Sequence, residues 1–151
     1  MYSKITPLNS DASVLRSLVY SMNTISDKTQ FISVVDDELD IMTLFRDALS
    51  QLQDVEVFGF TNSPLALEHF KMNQSQYSLV LSDFRIPEMD GIQLLKEIKA
   101  IKPSVKTLLV SAFEVENELL QQCSCIDTFL QKPISMIDLI EEVEVQLPNN
   151  H

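Results

Sequence analysis

From Phe31 onward the chain alternates between two patterns, and that alternation leaves few folds open. Short runs rich in β-branched and aromatic residues stand at FISVV (31–35), VEVFGF (55–60), YSLVLS (77–82), KTLLVS (106–111) and DTFLQ (127–131). Between and after them, apolar residues recur at helical spacing. These are Ile41, Phe45, Ala48, Leu49 and Leu52; Leu67 and Phe70; Leu94, Ile98 and Ile101; Val115, Leu119 and Cys123; and Met136, Ile140, Val143 and Leu147. The first, third and fourth runs are almost continuously apolar, as strands are when helices cover both faces of a parallel sheet. Five strand–helix units joined by right-handed crossovers predict an α/β domain, a doubly wound five-stranded parallel sheet flanked by five helices. Local signals agree: Asn62 or Ser63 before Pro64 marks one helix start, and Ser135 can cap the last helix.

Residues 1–30 stand outside the alternation as an N-terminal extension, 31–147 form the domain, and 148–151 are a tail. Within the extension, Val14, Leu15, Leu18, Val19 and Met22 fall at helical spacing, with Ser10 or Asp11 as cap, before the polar stretch SDKTQ. A length of 151 residues suits one domain with a single core. With 22 acidic against 11 basic residues and a net charge of −11, binding to a nucleic-acid backbone or an anionic membrane is disfavoured. A cation or a basic partner fits better. No apolar stretch approaches a membrane span and no signal peptide is evident, so a cytoplasmic protein is expected. Cys123 and Cys125 read as too close for an easy disulfide and too few for a zinc site, consistent with a reduced compartment. His69 reads as a surface residue, and Lys96, Lys99, Lys102 and Lys106 as a solvated helix face and its flank.

Ligands of open α/β sheets bind beyond the carboxyl ends of the strands, and there the distinctive polar residues collect. The first strand ends in Asp36 and Asp37, the third in Asp83, the fourth in Ser111 and the fifth in Lys132. Adjacent carboxylates can simply favour a helix N-terminus. Three converging carboxylates repel, however, and call for a divalent ion with oxygen preference; Mg2+ suits an incomplete site that keeps room for a phosphoryl group. Lys132 and Ser111 would add an ammonium and a hydroxyl against phosphoryl charge. Asp83, alone at its strand end, is placed to act as the nucleophile.

VVDDE, LVLSDFRIPEMDG, VSA and FLQKP, in this order and spacing, resemble the receiver domain of two-component response regulators over roughly residues 31–147. The resemblance implies the flavodoxin-like strand order 2-1-3-4-5, with Asp83 as phosphoacceptor. It implies Mg2+ (or Mn2+) held by Asp37 directly, Asp36 through water, Asp83 and the backbone carbonyl of Arg85. It also implies that Ser111 and Lys132 contact the phosphoryl group, that Pro133 follows a cis bond, that Phe129 is the aromatic switch and that MDG (89–91) opens the third helix. Donors would be a histidine kinase or a histidine phosphotransfer protein. A separate downstream protein would read the fourth helix, fifth strand and fifth helix, a homodimer being a further option.

Three positions depart from the family pattern. Arg85 is large and cationic and Phe113 bulky and apolar at the pocket rim, which predicts slowed hydrolysis of an acyl phosphate. Cys125 stands where the family often has glycine, so its backbone must avoid or tolerate a left-handed conformation. The chain ends soon after the fifth helix, which favours a stand-alone regulator whose only catalysis concerns its own phosphorylation and dephosphorylation. One alternative is a binding module that keeps the pocket without being phosphorylated. The other, an aspartate-nucleophile phosphohydrolase of the haloacid-dehalogenase type, is disfavoured because Arg85 stands where a general acid is required.

Overall fold

The computed structural model describes residues 29–112 and 123–148. Residues 1–28 of the extension, with its predicted amphipathic helix, Phe113, and nearly all of the helical segment predicted around Val115 and Leu119 lie outside the described residues. The described chain runs β1 (Gln30–Val35), α1 (Leu39–Leu49), β2 (Val55–Phe60), α2 (Ser63–Met72), β3 (Tyr77–Asp83), α3 (Gly91–Ile101), β4 (Lys106–Ser111), β5 (Thr128–Gln131) and α4 (Met136–Gln146). Four of the five predicted helices are thus among the described residues. All strand pairs are parallel, in the order β2-β1-β3-β4-β5.

Two apolar layers sandwich the sheet, and alternate residues of a strand feed opposite layers. In β3, Leu79 and Leu81 join Met42, Phe45, Leu139 and Val143 on the α1 and α4 side. Val80 joins Leu67, Phe70, Leu94 and Ile98 on the α2 and α3 side. Each such side chain, fully buried, contributes about 1.5–3 kcal/mol. Helix starts are capped by side chains: Asn62 accepts Leu65 N–H, Ser135 accepts Asp138 N–H, and Asp90 forms a reciprocal capping box with Gln93. Pro64 occupies the first turn of α2, where its missing N–H costs nothing.

Several expectations about single residues need correction. Cys123 and Cys125 are disulfide-bonded. The turn at Ser124 brings their Cα atoms to 5.0 Å, inside the range that a disulfide spans, so one intervening residue is no bar. His69 is not a surface residue but half-buried among the rings of Phe31, Phe58, Phe60 and Tyr77, and its Nδ1 lies 2.7 Å from the Tyr77 hydroxyl. Burial holds its pKa below the ordinary histidine value. Two of the four lysines are structural ties. Lys99 donates to Val105 O at 2.5 Å and Asp127 Oδ2 at 2.7 Å, and Lys102 to the carbonyls of Gln74 and Tyr77 at 2.8 and 2.7 Å. Among the described residues only Asp54 and Glu88 have positive φ, so Cys125 avoids the left-handed conformation.

Candidate functional site

The carboxyl ends of β1, β3 and β4 meet the residue after β5 at one edge of the sheet. β1 gives way to charge after Val35, yet the Asp36 N–H still donates to Phe60 O at 3.0 Å, a last tie to β2. Asp36 is therefore held inward, 2% exposed, while Asp37 faces solvent. Asp36 Oδ1 accepts the Glu38 N–H at 2.9 Å, so one carboxylate oxygen also shapes the entry to α1. Asp83 closes β3, partly buried. A carboxylate oxygen from each of Asp36, Asp37 and Asp83 lies within 4.8 Å of the others.

One ammonium faces them. Lys132 Nζ donates to Asp36 Oδ2 at 2.9 Å and lies 3.3 Å from Asp83 Oδ1. Lys132 N–H donates to Ser111 O at 2.9 Å, which ties its backbone to the end of β4; the Lys132–Pro133 bond is cis. Its Nζ also stands 5.9 Å from the centre of the Phe45 ring, within cation–π range. Burial works against the Lys132 charge, but the hydrogen bond and charge of Asp36, then of Asp83, outweigh it and raise the pKa. Burial pushes the Asp83 carboxyl up; Lys132 pulls against this and Asp36 adds to it, with the net shift upward.

Among the described residues, crowded oxygen donors around the Lys132 ammonium suit a hard divalent cation, so the residues present fit Mg2+ or Mn2+. Ser111 is fully buried at the end of β4, opposite Gln131. Phe129 pairs with Leu109 in β5 and packs, half-buried, on the α2 and α3 layer. Arg85 is exposed, with its guanidinium 5.2 Å from the centre of the Phe84 ring.

Two contributors entered the sequence reading without a role at the site, Gly91 as part of the MDG loop that opens the third helix and Phe45 as one of the apolar residues at helical spacing. Gly91, one of only two glycines, sends its N–H to Phe84 O at 2.8 Å, and a Cβ there would overlap the backbone carbonyl of Asp83. A glycine at the start of a predicted helix, eight residues after a predicted nucleophile, was the available signal. Phe45 looked like any core aromatic, and nothing in its neighbours reveals the lysine 87 positions later.

The family model of the response regulator receiver domain matches residues 32–144. This chain belongs to that family. Among similar proteins, the transcriptional regulatory protein ZraR of Escherichia coli strain K12 is 32% identical over 122 residues, covering 80% of the receiver chain and 27% of ZraR. The receiver thus spans about a quarter of that relative's length. Sporulation initiation phosphotransferase F of Bacillus subtilis is 28% identical over 119 residues, 78% of this chain and 93% of its own. The Thermotoga maritima response regulator TrrA, solved in complex with Mg(2+)-BeF, superposes with a TM-score of 0.69 at 28% identity, covering 78% of this receiver and 99% of TrrA. Among the described residues no helix is long and apolar enough to cross a membrane.

Proposed function

We propose that this receiver, formed by residues 31–147, takes a phosphoryl group onto Asp83 and signals through a resulting change of surface. The observation that carries the reading is the constellation itself: a strand-end carboxylate 3.3 Å from a lysine ammonium and within 4.8 Å of two further carboxylates. A carboxylate oxygen of Asp83 attacks the phosphorus of a phosphohistidine; the new P–O bond forms as the P–N bond breaks, and the imidazole leaves with the electron pair. The donor is a histidine kinase or a histidine phosphotransfer protein.

Asp37, Asp36, Asp83 and the Arg85 carbonyl would hold Mg2+ or Mn2+, which when bound neutralises the charge gathered on the phosphoryl oxygens. Lys132, already anchored on Asp36, supplies a fixed positive charge on the other side. Ser111, whose carbonyl receives the Lys132 N–H, donates its hydroxyl to a phosphoryl oxygen. Phe129 then repacks on β5, changing the face of β5, α4 and the residues before them that a downstream protein reads. Arg85, two residues after the acceptor, slows the approach of hydrolytic water, and Phe113, which the sequence reading paired with it, lies outside the described residues. The receiver is no dedicated enzyme in this reading: it catalyses only its own phosphorylation and dephosphorylation, in the cytoplasm.

Intact-protein mass after incubation with acetyl phosphate and Mg2+ tests the assignment. One metal-dependent phosphate adduct is expected, lost with a chelator and in Asp83→Asn. An adduct that persists in Asp83→Asn would overturn Asp83 as acceptor.

A further inference from the structure

The only two cysteines of the chain lie between β4 and β5, bonded to each other across Ser124. We propose that Cys123 and Cys125 form a reversible dithiol–disulfide couple, a covalent modification site separate from the Asp83 pocket, opened and closed by exchange with thiols and disulfides of the glutathione class.

The corner is built to survive opening. Cys125 is 4% exposed, and its carbonyl accepts the Thr107 hydroxyl at 2.5 Å. Two residues on, Asp127 accepts Lys99 Nζ at 2.7 Å and the Thr107 N–H at 2.8 Å. These bonds hold the turn against β4 and α3 without help from the sulfurs. The Cys125 sulfur lies 4.0 Å from Ile92 O, an acceptor for the S–H that reduction creates. Cys123 is more exposed than Cys125, so an incoming thiolate meets its sulfur first. A bridge closed across one residue also removes little freedom from the unfolded chain, because disulfide stabilisation grows with the length of the loop enclosed. A stabilising cross-link would enclose more.

Opening proceeds by two exchanges. A thiolate attacks Cys123 Sγ, the S–S bond breaks, and Cys125 leaves with the electron pair and takes a proton. A second thiolate attacks the external sulfur of the mixed disulfide, freeing Cys123, which is protonated in turn. Two external thiols thereby give two electrons and two protons to the pair and depart as their disulfide. Closure is the reverse and ties Cys123 to the pinned Cys125.

The test equilibrates the full chain with set ratios of reduced and oxidised glutathione, quenches with iodoacetamide, and reads intact and peptide masses. The expected result is a folded monomer that passes reversibly from two alkylated thiols to a species lacking two hydrogens, with both cysteines in one cross-linked peptide. Cys123→Ser keeps the circular dichroism spectrum and loses that species. A bridge that opens only in denaturant would overturn the proposal, as would stable glutathione adducts or linked dimers in place of the internal bond.

Discussion

Glu88 holds φ at 73°, the left-handed region in which a side chain costs roughly 1–2 kcal/mol. Glu88→Gly relieves that cost and gives back part of it through the freer unfolded chain, so urea unfolding is expected to show a gain of about 0.5 kcal/mol. The two glycines separate two kinds of crowding. At Gly59 an added methyl meets the flexible Met42 side chain, whereas at Gly91 it meets the rigid carbonyl of Asp83. Gly91→Ala should cost about 3 kcal/mol and Gly59→Ala clearly less, by the same urea titration. At His69 burial favours the neutral imidazole. The unfolded chain takes up its proton near pH 6.5, at about the ordinary pKa, before the folded one does. Between those two values the unfolded state binds more protons, so stability falls as pH drops below about 6.5. In His69→Gln, which still offers Tyr77 an acceptor, thermal midpoints measured from pH 7 to 5 should lose part of that slope.

At the scale of elements, the corner that joins α3, β4 and the approach to β5 depends on one carboxylate. Burial pushes Asp127 up, but bonds from Lys99 and Thr107 outweigh it and hold the acid below its ordinary range. Asp127→Ala should lower stability by about 2–3 kcal/mol, seen as a reduced urea midpoint with an unchanged slope. Helix entries follow the same economy of local bonds. Asn62 and Ser135 announced themselves in the sequence as polar residues before a helical pattern, and both accept an N–H three residues on. The Asp127 tie gave no such signal, because Lys99 lies 28 residues away and Thr107 on another strand.

Across the whole molecule, the legible part was whatever a strand reports about itself. Val34, Val80 and Leu108 are fully buried because helices cover both faces, and their continuous apolar runs said so. The site was legible for a related reason: Asp36, Asp83 and Ser111 each stand at or just beyond a strand end, and a parallel sheet gathers its strand ends along one edge. His69 was misread because its ring neighbours come from three different strands, and the Cys123–Cys125 bond because it depends on a turn at Ser124. Asp36 and Lys132 are 96 residues apart, yet they are hydrogen-bonded at 2.9 Å in this pocket. Lys132→Met leaves the Asp36 charge buried without its ammonium and should cost about 3–5 kcal/mol, with millimolar Mg2+ restoring part of the thermal midpoint.

β5 is four residues long, half-buried, and lies at the sheet edge beside β4 alone. Strands with few buried contacts open at lower free energy than central ones, so its amides exchange with solvent sooner than those of β1 and β3. Phe129 sits in that strand. If the proposed repacking of Phe129 is right, its movement would begin in the strand that is expected to open first, so local unfolding and signalling would share their first step.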